Sequence, residues 1–405
     1  MVGVGSLGYL GGLKAYFSPC GIGYGHVGRC YPIAERLLKE GAKVLFSTYR
    51  DGVDYVKKLG LPFVKSPSIG FSVDWTGRVD FKRTSTQTFI AIPKFLIQVN
   101  AEIANLRAFR PDIVISDSRL SSIVAARFLD IPTIVILNQF NSIVPRRKRF
   151  FNVSRIADGG VLTLVGQGWG LSDLILVPDF PPPYTISLRN LRIPKRFAPY
   201  VKFIGTILTT KPSEANGWRR VRSELGLKKN EYLIFAPISG PREERLPLIA
   251  KLTRLFEDLP EKYHVVMSLG EVNGDSTPIR RGHLTVIPWI TNRFDYLKAC
   301  DLVISKAGHG TIMEAVSFGK PQILIPTLGH TEQYGNACRT RELGIAEAID
   351  QDELTGEKLL STIEEMLTQE SYSANLRKIR EENRLDGVAN ALGEIRELFD
   401  TKNRK

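Results

Sequence analysis

One histidine and one glycine-rich turn hold most of the chemistry this chain can do. His26 lies in the run Cys20-Gly-Ile-Gly-Tyr-Gly-His-Val-Gly-Arg29, where Gly23, Gly25 and Gly28 fit G-x-G-x-x-G. A neutral imidazole presented at such a turn can take a proton from a hydroxyl nucleophile. It works better with a carboxylate that fixes its tautomer and stabilises the imidazolium, and Asp117, ending the apolar run 113–116, is the candidate, with Arg119 close by. Two plainer roles compete: a turn histidine bonded to backbone, and an aspartate capping the helix that starts near Ser121. The glycines alone also fit a dinucleotide site, with Asp51 as a ribose ligand.

The second concentration lies at 301–348. Asp301-Leu-Val-Ile-Ser305 reads as a buried strand, and Lys306-Ala-Gly-His-Gly-Thr311 as a turn with few side chains to block a ligand. Thr311 and Glu314 have the spacing of a capping box, and Ile312, Ala315, Val316 and Phe318 give the helix an apolar face before Gly319-Lys-Pro321 stops it. Free backbone N–H groups at that helix start favour an anion such as phosphate, Gly308 and Gly310 let it reach the main chain, and Lys306 adds positive charge. A strand at 322–326 follows, and its loop carries His330, Glu332, Gln333 and Asn336.

Positioning these groups requires a scaffold of alternating strands and helices. In the first half strands are expected at 13–19, 43–48, 61–64, 112–116, 133–137, 173–177 and 201–207, with helices at 28–40, 53–59, 93–109 and 121–129, a parallel α/β sheet. Residues 66–93 are polar and aperiodic, as a lid or binding loop would be. After a hinge near 206–216 the pattern restarts with a helix at 216–225, strands at 232–236, 264–269 and 284–287, and a helix at 246–259. The reading is two Rossmann-like doubly wound domains facing across a cleft, over residues 1–206 and 207–385, and a final helix within 386–405 able to pack back on the first. In an open parallel sheet the carboxyl ends of neighbouring strands surround one crevice, so residues 26 and 117 can meet.

Composition narrows the class. No apolar run approaches the roughly 18 residues of a membrane span, so an integral membrane protein is excluded. Cys20, Cys30, Cys300 and Cys338 make no metal-ligand pairs, which suits a reducing cytosol, and no metal site is expected. The net charge of +13 calls for an anionic partner: nucleic acid, lipid surface or phosphorylated substrate. Arg146-Arg147-Lys148-Arg149 runs into Phe150, a basic and aromatic mixture that suits lipid headgroups or a lipid-linked phosphate, and equally a solvated loop.

With both halves read, the chain resembles the nucleotide-sugar glycosyltransferases of the GT-B fold, the broad group that includes the bacterial peptidoglycan N-acetylglucosaminyltransferase, plant and animal UDP-glycosyltransferases and galactolipid synthases. The first turn resembles that of microbial and archaeal members reading G-x-G-x-G-H-x-x-R, and Ser305–Thr311, Glu314-Ala315, Gly319–Pro321, Glu332-Gln333 and Asn336-Ala337 keep the family's order and spacing. The resemblance implies that Gly308, His309, Gly310 and Thr311 hold the donor diphosphate, with Ser239 and Gly240 nearby, and that Glu314 takes the ribose hydroxyls. It further implies that Glu332 and Gln333 bind sugar hydroxyls, that the base rests against Trp289 and Ile290, and that His26 is the base oriented by Asp117. Lys306 stands where several relatives have histidine, and His309 where they have a small residue. The expected function is an inverting transfer from a nucleoside diphosphate sugar, UDP by family frequency, to a hydroxyl acceptor, lipid or lipid-linked. No cofactor or metal is expected, and the location would be cytoplasmic at the inner membrane face, with Arg29 and the 146–150 cluster on the acceptor or membrane side. The alternatives are a UDP-sugar 2-epimerase, a nicotinamide oxidoreductase and a non-catalytic nucleic-acid binder, the last lacking a recognition helix.

Overall fold

The computed structural model of the protein describes residues 10–68, 88–140 and 167–403. Residues 69–87 of the expected lid, and the cluster Arg146, Arg147, Lys148, Arg149 and Phe150, lie outside them.

Seven short apolar runs of the first half form one parallel sheet. They are β1 (Lys14–Pro19), β2 (Lys43–Thr48), β3 (Phe63–Lys65), β4 (Ile113–Asp117), β5 (Thr133–Ile136), β6 (Leu174–Val177) and β7 (Val201–Phe203), in the order β3-β2-β1-β4-β5-β6-β7. Helices cover both faces, which is why these strands are continuously apolar and not alternating. On one face Phe17 and Phe46 stack at 5.0 Å beneath the helix Gly25–Lys39, whose Val27, Ile33 and Leu37 are buried. On the other, Tyr16 and Val114 pack on Leu106 and Ala125.

The second half builds a matching sheet from β8 (Tyr232–Pro237), β9 (Tyr263–Ser268), β10 (Ile279–Arg281), β11 (Leu284–Ile287), β12 (Leu302–Ser305), β13 (Gln322–Leu324) and β14 (Ala346–Ala348). Its order is β10-β11-β9-β8-β12-β13-β14, parallel except for the exposed edge strand β10. In both sheets the first strand has the second strand on one side and a later strand on the other. The chain therefore winds in opposite senses from β1 and from β8, and a crevice opens beyond the carboxyl ends at β1/β4 and at β8/β12.

The chain crosses between the sheets twice, side by side. Gly387 N donates to Thr206 O at 3.1 Å and Asn390 Nδ2 to Ile204 O at 2.9 Å. A Cβ on Gly387 would lie 2.5 Å from Thr206 O, and Gly205 at φ +82 would set one 2.4 Å from the Leu385 Cβ, so both crossings need glycine to lie this close. The last helix, Gly387–Asn403, then buries Ala391, Leu392 and Ile395 in the core of the first sheet, contributing about 1.5–3 kcal/mol for each of the two larger side chains.

Several local expectations change. The first helix begins at Gly25, so His26 sits in its first turn and not on a loop tip. The helix His309–Ser317 starts at Gly308 without a side-chain cap, so Thr311 and Glu314 form no capping box: the chain turns helical before Thr311, which leaves its hydroxyl past the cap position. The short edge strands β10 and β14 and the helix Arg293–Ala299 carry too little periodicity to have been read. All four cysteines are free.

Candidate active site

At the β1/β4 crevice, strand order brings together residues far apart in the chain. Pro19 pairs with Asp117, and Cys20 N donates to Asp117 O at 3.0 Å, so the turn after β1 lies against the end of β4. His26 Nδ1 is 2.6 Å from Asp117 Oδ1, with the imidazole 26% exposed and the carboxylate fully buried. A carboxylate only accepts, so Nδ1 carries a proton, and in the neutral ring Nε2 is then the acceptor.

Asp117 does not cap a helix; that position falls to Arg119. Burial alone would raise its carboxyl, but the Arg29 guanidinium and His26 outweigh burial and pull it down to about 2. Arg29, expected on the acceptor or membrane side, packs against Asp117 in the β1/β4 crevice. Its Nε donates to Asp117 Oδ2 at 2.8 Å, Nη2 to Oδ1 at 2.7 Å and Nη1 to Asn138 Oδ1 at 3.1 Å, because the first helix turns positions 26 and 29 to one face. Arg119 points away, to Ser47, Ser66 and the buried Glu102. Asp51 receives Gly23 N at 2.8 Å, so it holds the turn and is not placed as a ribose ligand.

At the β8/β12 crevice two loops converge. Ser239-Gly240 follows β8, Gly240 at φ +108, and Lys306–Gly308 follows β12, with Ala307 held at φ +65 while its carbonyl accepts from Asn336 Nδ2 at 3.2 Å. Lys306 Nζ pairs with Glu244 Oε2 at 2.9 Å; burial pulls the ammonium below its usual value, with the glutamate opposing. Gly308 is extended and the following helix start has no side-chain cap. A Cβ at Gly25, Gly308 or Gly310 would meet nothing within 4 Å, and none of the three has a positive φ. Neither packing nor backbone conformation demands glycine there, so the missing side chains leave space for a ligand.

The remaining expected residues divide. Glu314 accepts from Arg293 at 2.5 Å, and burial raises its carboxyl above the usual range with Arg293 partly offsetting. Gln333 Oε1 takes Thr327 N at 2.8 Å. Glu332 Oε1 accepts from Asn138 Nδ2 at 2.7 Å, which completes a polar chain from His26 through Asp117, Arg29 and Asn138 across the cleft. Trp289 stands edge-on to Tyr24, just before the first helix, and to Tyr55 of the helix Asp51–Lys58, at 5.9 and 5.6 Å. Two expectations are corrected. The Ile290 side chain is buried in the core with Phe294 and Leu297, so only its backbone is open to a base. The His309 ring is buried with Nε2 3.0 Å from Asp179, itself fixed by Ser187, so only its main chain belongs to the phosphate turn.

Sequence reasoning missed Asn138, Asp179, Asn190, Arg245 and Arg293, whose partners lie on other elements. Asn190, for instance, donates to Asn336 Oδ1 at 3.0 Å. The two crevices face each other: a Cβ on Gly23 would lie 3.6 Å from Gly240 Cα.

Comparison with known proteins agrees with this geometry. Residues 245–391 match the glycosyltransferase family 28 C-terminal domain. An uncharacterised glycosyltransferase of Methanosarcina acetivorans is 30% identical over 401 residues, covering 96% of this chain and 98% of its own. The Bacillus cereus UDP-N-acetylglucosamine–N-acetylmuramyl-(pentapeptide) pyrophosphoryl-undecaprenol N-acetylglucosamine transferase 1 is 26% identical over 394 residues, 92% of this chain and 96% of its own. Among solved structures, the calicheamicin glycosyltransferase superposes with TM-score 0.67 at 16% identity over 96% of this chain and 98% of its own. The spinosyn rhamnosyltransferase complexed with thymidine diphosphate does so with TM-score 0.65 at 17% identity, over 95% and 100%. The epimerase, oxidoreductase and nucleic-acid readings give way, and the chain belongs to the glycosyltransferases of the GT-B fold.

Proposed function

We propose that the protein transfers a sugar from a nucleoside diphosphate sugar, UDP-linked, to a hydroxyl on a lipid or lipid-linked acceptor, with inversion and without a metal. The observation that carries this reading is the opposition of the His26–Asp117 pair to a phosphate turn whose Gly308 and Gly310 are open for reasons other than packing. The acceptor hydroxyl gives its proton to His26 Nε2 while its oxygen bonds to the anomeric carbon. The bond from that carbon to the diphosphate oxygen breaks, and its electron pair leaves with the nucleoside diphosphate. Asp117 stabilises the imidazolium as it forms. Backbone N–H groups of the turn and the Lys306 ammonium meet the charge that builds on the diphosphate, an electrostatic stabilisation already in place before reaction. Glu314 takes the ribose, Glu332 and Gln333 the sugar, and Trp289 the base.

Support for UDP and for a lipid-linked acceptor comes from the Bacillus cereus relative, whose name states both. The described residues add an exposed apolar patch on the helix Thr88–Phe109: Ile92, Leu96 and Ile97 are 60%, 60% and 58% exposed in a chain of net charge +13, a combination suited to an anionic bilayer surface. No helix among the described residues is long and apolar enough to cross a membrane. The test is calorimetric titration with UDP-, dTDP- and GDP-sugars, first with a chelator and then with magnesium. Selective UDP-sugar binding independent of magnesium is expected; absence of nucleotide binding would sink the donor reading, and a strict magnesium requirement would sink the metal-free mechanism. Turnover with a polyprenyl-diphosphate-linked sugar as the hydroxyl acceptor, read by the anomeric configuration of the product, checks inversion.

A further inference from the structure

Among the buried cations at the two crevices, Arg245 has no carboxylate partner among the described residues. It lies in the first turn of the helix Arg242–Glu257, 5% exposed, with Nη1 donating to Gly240 O at 2.8 Å. Its Nε is buried and has no hydrogen-bond partner among the described residues. Buried charges are ordinarily paired, and an unpaired donor of this kind costs stability unless something else satisfies it.

The neighbours show what that something is. A Cβ on Gly240 would stand 3.0 Å from Lys306 Nζ, so Lys306 and Arg245 converge on the same glycine loop from opposite sides of the β8/β12 crevice. Among the described residues one carboxylate, Glu244, is in place for the two cations, and it is engaged by Lys306 at 2.9 Å. Burial lowers the Lys306 ammonium, Glu244 opposes it and Arg245 adds a smaller push downward, while Arg245 also reaches the Tyr24 phenol on the facing turn by charge and by hydrogen bond. Two cations with one carboxylate leave a net positive charge at the bottom of the cleft, beside open glycines.

We infer that Arg245 donates to the diphosphate of the donor, as a second cation beside Lys306 that neutralises the departing nucleoside diphosphate. This rests on the donor-site reading above and adds a residue that the glycine turn and its spacing do not disclose. The guanidinium presents several N–H donors in a fixed fork that suits phosphate oxygens, and the Gly240 carbonyl anchors one arm of it at the loop that follows β8.

The experiment compares binding of UDP and of uridine to the full chain and to Arg245→Met and Arg245→Lys. Arg245→Met should weaken UDP by about ten- to a hundredfold, the scale of losing a charge-assisted hydrogen bond in a buried site, while uridine affinity stays within about twofold and shows that the donor site is folded. Arg245→Lys should recover part of the UDP affinity. With a turnover assay, kcat should fall along with donor affinity, because charge on the diphosphate grows in the transition state. Equal losses for UDP and uridine, or loss of uridine binding in both variants, would make Arg245 a structural residue and overturn the inference alone. If the unaltered chain bound neither UDP nor another nucleoside diphosphate, the donor-site reading would fall and take the inference with it.

Discussion

Around β1 and β4 the polar groups have already found each other. Asp117 accepts from His26, Arg29 and Ser118, and Arg29 reaches on to Asn138. Around β8 and β12, on the same strand order, the picture is different: Gly308 and Gly310 stand open, Arg245 keeps an N–H unmatched among the described residues, and burial raises the Glu314 carboxyl and lowers the Lys306 ammonium from their usual values. A group that must move a proton needs fixed orientation before substrate arrives, since misorientation costs rate directly. A site that must receive a charged ligand needs the opposite, donors and space that the protein leaves unmatched. On the proposed function, the first crevice serves reaction and the second occupancy.

That contrast can be broken at each crevice separately. The largest effect is expected for His26→Ala, a loss of about a hundred- to ten-thousandfold in transfer with donor affinity unchanged, the usual worth of a general base. Steady-state kinetics beside calorimetry would show it, and full activity in the variant would remove the base from the first crevice. Asp117→Asn should lower both rate and stability. Asp117 has a folded value near 2 against 3.8, so its contribution is present above pH 3.8 and is lost as the pH falls towards about 2. At neutral pH the variant should be less stable by about 2 kcal/mol, a difference read from urea midpoints that narrows in acid; a constant difference at all pH values would contradict the linkage.

The second crevice should respond in the other sense. Gly310→Ala places a Cβ in empty space on a helix, so stability should hold or rise by about 0.5–1 kcal/mol, while donor affinity falls by about tenfold as the methyl blocks the diphosphate. A thermal midpoint and a titration on the same preparation decide it, and undiminished binding would show that the opening serves no ligand. Smallest is Glu314→Gln, expected to weaken UDP by about five- to tenfold and dTDP less, because the deoxyribose offers one hydroxyl fewer. Equal losses for both nucleotides would remove the ribose from Glu314.

Much of the frame was legible from residue order. Apolar runs such as 43–48 and 284–287 are buried on both faces and bounded by turn residues, and the structure keeps those limits. His26 and Asp117 were readable as a pair because both follow parallel strands, whose carboxyl ends share a crevice. Edge strand β10 was not readable: Ile279, Arg280 and Arg281 are all exposed, so no burial pattern marks them. The partner of Arg29 was not readable for a related reason. In the sequence Arg29 is a cation beside a glycine turn, and only the helix start at Gly25 turns it toward Asp117.

The chain by itself determined the strands, the glycine turns and the kinds of side chain at their ends, because backbone conformation and apolar periodicity are set by neighbours a few residues apart. Tertiary structure decided the partners. Lys306 takes Glu244, His309 takes Asp179, Glu314 takes Arg293 and Glu332 takes Asn138, each across a separation that no local pattern spans. Those pairings follow from strand order and from which faces of two sheets bury together, and burial is a property of the whole packed chain.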